Sequence, residues 1–152
     1  MNGIIEDFSS MVDNDRELKS KLAIHSVCES CGINKRKIKK NGGRKREIVQ
    51  GRNMICNILY HELSLTLVNI ADIMGYKTHS SVLHGISMHN VDSTYDKMYK
   101  RKYEDALAGL ELKINKASEF DFDETEKTLK RFFIKVSAIE NRLNNVEKLL
   151  TN

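Results

Sequence analysis

Apolar residues along this chain recur at helical spacing, and each stripe marks an element. Ile24, Val27, Cys28 and Cys31 fall at i, i+3, i+4 and i+7, one buried face of a helix. That helix is expected to run from a cap region at Asp13–Asp15 to about Cys31, with Gly32 at the C′ position. Residues 2–12 predict a short acidic helix of their own. A second stripe, Met54, Ile55, Ile58 and Leu59, predicts a helix from about Ile48 to Leu63. Two shorter helices follow, about 66–74 and 79–90, separated by Gly75-Tyr76 and with Val82 and Ile86 turned to the core. Asp92 or Ser93 is the expected cap of a further helix to about residue 115, packing back through Met98, Ala106, Leu110 and Ile114.

Beyond it the period changes. Ser118–Asp123 is polar and reads as a hinge, and Asp123 with Glu126 resembles a capping box. From there the spacing is a strict 4-3 alternation. Phe122, Leu129, Val136, Leu143 and Leu150 take heptad position a, and Thr125, Phe132, Ile139 and Val146 take d. Lys135 and Arg142 fall at g, Glu140 and Glu147 at e. In a parallel pair g faces the next e of the partner, so both pairs are opposite in sign. The stripe predicts a parallel, self-associating coiled coil, with Leu129, Phe132, Val136, Ile139, Leu143, Val146 and Leu150 as its contact residues. β-branched residues at d leave trimer and tetramer open beside dimer.

Charge divides the 152 residues into three segments. Residues 1–17 are acidic, 116–152 are balanced, and the stretch 19–115 carries 17 basic against 9 acidic side chains, although the whole chain is only +4. The expected organisation is an acidic N-terminal segment (1–17), a basic helical domain (18–115) and a C-terminal coiled-coil helix (116–152). A localised positive field suits a polyanionic partner. There is no proline, in keeping with an all-α fold. No run of 18 apolar residues and no leader pattern is present, so a cytoplasmic, nucleoid-associated protein that meets no membrane is expected. Three cysteines in such a chain read as free thiols.

The chemistry concentrates in two places. Positions 35–46 hold eight Lys or Arg, interrupted by Asn41-Gly42-Gly43. Residues 77–86 read Lys-Thr-His-Ser-Ser-Val-Leu-His-Gly-Ile, a helix that opens on short hydrogen-bonding side chains after a glycine turn. A scaffold helix, a glycine turn and such a second helix are the layout of a helix-turn-helix. Thr78 suits the N-cap, its hydroxyl accepting from the amide of Ser80 or Ser81.

Residues 75–85 of this chain resemble the signature of the C-terminal DNA-binding domain of the bacterial replication initiator DnaA: a glycine turn, then Arg-Asp-His-(Thr/Ser)-Thr-Val-(Leu/Met)-His-Ala. Arg44–Met54 resembles that family's basic loop and following helix, Leu65–Ala71 its scaffold helix, and Leu22–Ile33 its first helix; the similarity spans about residues 18–112. The resemblance implies a helix-turn-helix bundle that holds double-stranded DNA. It places Lys77, Thr78, His79, Ser80 and Ser81 at the major groove, with His79 the base reader and His84 structural or a phosphate contact. It sends Arg44 or Arg46 into the minor groove, with Lys45 one register away, and sets Arg52 on a phosphate. Lys77 and Thr78 stand where the signature has Arg and Asp. Thr does not demand the cytosine amino group that an Asp accepts from, and Lys lacks the guanidinium fork, so a different target sequence is expected.

Other chemistry finds little support. Cys28-x-x-Cys31 with His25 lacks a second ligand pair for zinc. His79, His84 and His89 are five apart and do not share a helix face. No phosphate-binding G-x-x-x-x-G-K-[ST] loop is present, so the initiator's ATPase module is expected to be missing. The expected protein is not an enzyme and uses no cofactor, metal or small-molecule substrate. It binds DNA with sequence preference, in replication initiation or its control, or in transcription regulation, in a bacterium or phage. The rival expectation is a protein-interaction or virion-associated oligomer that kept the fold without reading DNA.

Overall fold

The computed structural model describes the backbone of residues 2–39 and 43–151, and the side chains of 12–39, 43–119 and 124–151. All elements among them are helical: α1 (Asn2–Cys31), a one-turn 3-10 helix (Lys35–Lys37), α2 (Arg46–His61), α3 (Leu67–Met74), α4 (Ser80–Tyr95) and α5 (Lys97–Leu150). The chain forms two compact units, residues 1–114 and 115–152.

In the first unit α2 is central, packed by α1, α3 and α4. Every residue from Gly51 to Leu59 is buried, as expected of a helix surrounded by protein. Gly51 permits this. A Cβ there would stand 2.8 Å from Ile33 Cδ1 and 3.3 Å from Ile38 Cδ1, so a side chain would force both isoleucine tips to repack. The stripe of α1 packs as its spacing requires, with Ile24, Val27 and Cys28 buried. Cys31 lies with its Sγ 3.6 Å from Met54 Sδ. Tyr99, Ala106 and Leu110 of α5 complete the core, and Lys113 reaches Glu29 across the surface at 2.6 Å.

Helix ends follow local chemistry. α3 starts at Thr66, whose hydroxyl accepts from the Asn69 amide at 3.2 Å. It stops at Gly75, in the left-handed region at φ 71°. There the Tyr76 amide bonds the Ala71 carbonyl and the Gly75 amide the Asp72 carbonyl, a glycine-ended turn that a β-carbon would strain. The same pattern ends α1 at Gly32.

Five expectations are corrected. The Asp13–Asp15 cap is not used: α1 is continuous from Asn2, and Asp15 and Glu17 instead pair with Lys19 and Lys21 at i+4. Helix α4 does not stop near residue 90 but continues to Tyr95, and Asp96 rather than Asp92 or Ser93 caps α5. The Asp96 Oδ1 accepts from the amides of Met98 and Tyr99, both at 3.0 Å. That moves the phase of α5, so Tyr99 is buried while Met98 is 62 % exposed. The hinge at Ser118–Asp123 is helical backbone within α5, for no Gly or Pro falls between Gly109 and Asn152 to break the ladder. The capping-box start at Asp123 is therefore mid-helix; the side chains of Phe122 and Asp123 lie outside the described residues.

Candidate nucleic-acid interface

The helix-turn-helix is α3, the Gly75 turn and α4. Val82 and Ile86 anchor α4 in the core, 0 % and 9 % exposed, which fixes its rotation. That rotation leaves Lys77, Thr78, His79, Ser80, Ser81 and His84 exposed together. The expected Thr78 cap does not form. The helix begins from His79, without a side-chain cap bond, and it is the Thr78 carbonyl that accepts, from the Ser81 amide at 3.3 Å. Among the described residues the hydroxyls of Thr78, Ser80 and Ser81 make no hydrogen bond, so three donors stand open at the start of α4.

Two adjoining depressions run along the seam of α2 and α4. One is lined by Arg52, Tyr76, Ser80, Ser81 and Gly85, the other by Arg46, Gln50, Met88 and Asp92; Val49, Asn53 and His84 belong to both. The start of α4 and the first half of α2 therefore share one face, with Arg46 in its lining, and Arg44 and Lys45, which precede α2, are exposed. Arg46 rests 3.4 Å from Asp96, a long pair on an arginine whose side chain is 78 % exposed, so the contact holds it weakly. The amides of Tyr99 and Met98, more than Arg46, keep the Asp96 carboxyl below its usual range.

Arg52, expected on a phosphate, turns inward. It is 8 % exposed, and its guanidinium donates to the carbonyls of Ile38 (2.6 Å), Lys39 (2.5 Å), Gly43 (3.0 Å) and Lys37 (3.2 Å). Four of its five N–H donors are spent on backbone oxygens, which leaves one on Nη1. Arg52 folds the basic loop from inside, leaving Lys35, Arg36, Lys37 and Lys39 exposed around it.

Sequence reasoning also missed Asn53. Three polar residues interrupt the buried run of α2. Arg52 has its carbonyls and Asn57 donates to the Tyr103 hydroxyl at 2.8 Å. Asn53, 7 % exposed, makes no side-chain hydrogen bond among the described residues and lies on the floor shared by both depressions. A poor helix former among Met54, Ile55 and Cys56 was the available signal.

The remaining candidates of other chemistry fall away from this face. Cys28 and Cys31 are core thiols held above their usual range by burial, and burial pushes Cys56, beside Tyr76, up to about 12. His25 pairs with Glu29 at 3.4 Å. Among the described residues no three metal-ligating side chains cluster, and no helix is long and apolar enough to cross a membrane.

Comparison with known proteins agrees with this geometry. Residues 21–88 match the family model described as the bacterial DnaA protein helix-turn-helix. The chromosomal replication initiator protein DnaA of Thermomicrobium roseum is 32% identical over 102 residues, 62% of this chain and 22% of that protein. Those of Ureaplasma parvum (32% over 72 residues, 47% of this chain and 16% of that one) and Herpetosiphon aurantiacus (33% over 70 residues, 46% and 15%) are similar over a shorter stretch. The chain thus spans at most 22% of the length of these relatives. No solved structure matches.

Proposed function

We propose that the chain, whose residues 21–88 match the family model of the bacterial DnaA protein helix-turn-helix, binds double-stranded DNA with sequence preference, as a binding protein and not an enzyme. The setting we propose is replication initiation or its control, or transcription regulation, in the cytoplasm of a bacterium or of a phage's host. The observation that carries the reading is the pair of adjoining depressions that have Ser80, Ser81, His84 and Arg46 in their lining, with Thr78, His79, Arg44 and Lys45 exposed beside them in sequence. In this reading α4 enters the major groove, His79 and the hydroxyls meet base edges, and Lys77 and His84 stand near phosphates. Arg44 or Arg46 reaches the adjacent minor groove, where narrow A·T tracts concentrate negative potential. The loop cations Lys35, Arg36, Lys37 and Lys39 follow the backbone.

Thr78 sharpens the proposal. A hydroxyl both donates and accepts, so it tolerates bases that a carboxylate would reject, and the preferred sequence differs from that of a chain with Asp at this place. The experiment is selection of bound duplexes from a random pool, followed by a salt titration on the selected site. Affinity should fall with salt by a log-log slope of roughly 0.9 per phosphate engaged. His79→Ala should cost about 1–3 kcal/mol of discrimination between the selected and scrambled sites. A slope near zero, or a His79→Ala chain as selective as the parent, would defeat the reading.

A further inference from the structure

The second unit is helix, and its apolar side chains lie open. Leu129, Phe132, Ile139, Leu143 and Val146 are all between 51 % and 63 % exposed, Leu150 is 81 % exposed, and only Val136 is half-buried. Most of a helix's stability in a protein comes from packing its apolar face, and a helix with that stripe uncovered gains nothing from it. We propose that further copies of the same chain cover this face, in a parallel bundle of three or four strands.

The occupant follows from the charges beside the stripe. Lys135 and Arg142 take the g positions, Glu140 and Glu147 the e positions. Copies laid parallel place Lys135 against Glu140 and Arg142 against Glu147 of a neighbour. Copies laid antiparallel place g against g and e against e, cation on cation and carboxylate on carboxylate. The preceding parallel pair, Asp121 with Glu126, is acidic on both sides by sequence, so the last two charged heptads set the direction. A different protein would have to carry the same spacing and the reciprocal charges; a second copy carries both.

The number of strands follows from side-chain shape. Leu129, Leu143 and Leu150 occupy a, while β-branched Ile139 and Val146 occupy d. That order disfavours two strands and suits three or four. The face is also wider than two strands need: Phe133 at e is 67 % exposed and Leu149 at g is 77 % exposed, and both are covered only where each helix touches two neighbours.

The test is sedimentation equilibrium of the full chain without DNA, so its outcome leaves the DNA reading untouched. A mass of three or four chains is expected; a mass of one or two overturns the proposal. Direction is read from charge exchange at exposed positions that no fold depends on. Lys135→Glu with Arg142→Glu should raise the midpoint concentration of assembly by on the order of tenfold or more. Adding Glu140→Lys and Glu147→Lys to that chain should restore it. An antiparallel array exchanges one like-charged pair for another and would be indifferent to both changes, which would sink the parallel arrangement. Circular dichroism on each variant confirms that the helix itself survives.

Discussion

Polar side chains inside the first unit divide by whether the fold gives them a partner, and His89 is a buried imidazole whose ring nitrogens both meet hydroxyls. It is 5 % exposed. Its Nδ1 lies 2.8 Å from the Tyr99 hydroxyl and its Nε2 3.2 Å from that of Ser93, with the Tyr103 ring 4.3 Å away centre to centre. Among the described residues no carboxylate pairs with it. Burial therefore holds the imidazole below its usual range; Asp92 pulls the other way and His61 adds to the depression. An unfolded chain takes up a proton on this ring near pH ~6.5, the folded chain only at lower pH. Unfolding then binds a proton in between, so this residue's contribution is complete above about pH 6.5 and shrinks as pH falls through and below it. Melting temperatures from pH 8 to pH 5 should drop on the acid side, and His89→Gln should flatten that drop. An unchanged acid limb in the Gln variant would assign it to other groups.

At the scale of elements, ends written in one or two residues were legible, and ends written by competition were not. Gly32 and Gly75 stop their helices because each supplies a positive φ, and that requirement can be read from sequence. The stripes of α1 and α2 named their buried residues for the same reason. The caps at Asp13–Asp15 and Asp123 were misread because a carboxylate inside a helix costs little and finds an i+4 lysine, as Asp15 does with Lys19. Asp96 was passed over because Asp92 and Ser93 offer the same chemistry a turn earlier, and only packing of Tyr99 decides between them. At the candidate site, the open start of α4 was legible from its residue types. The role of Arg52 was not, since its four carbonyl partners lie 9 to 15 residues away in a loop without a repeating pattern. That role has a consequence. Arg52→Ala should cost about 2–4 kcal/mol in urea unfolding, because buried carbonyls lose their donors, and Arg52→Lys should recover only part, lacking the fork. DNA affinity should fall with the order of the loop rather than with the loss of one phosphate contact. A variant with parental stability and a salt slope lower by about one would return Arg52 to the phosphate role.

Over the whole molecule, the positive charge and the apolar stripe belong to different units, and this separation gives each a distinct signature. Among the described residues every buried core residue lies at or before Leu110, so a chain ending after Ala117 keeps the described core of the first unit. It should unfold cooperatively at close to the parental denaturant midpoint. On a duplex with one target site it should bind with the parental salt slope, because the cations of residues 35–46 and Lys77 are all retained. On a duplex with several sites the two chains should part. Tethered copies convert the second binding event into an intramolecular one, so the full chain should exceed the shortened one by roughly 10²–10⁴ in apparent affinity without any new contact to DNA. The charge-exchanged Lys135→Glu, Arg142→Glu chain should behave like the shortened one here, and the fourfold exchange like the parent. Gel-shift titrations on single-site and tandem-site duplexes at equal salt measure this. Equal loss on both duplexes would mean that residues beyond Ala117 touch DNA themselves, and equal affinity on both would mean that association, however strong, plays no part in holding DNA.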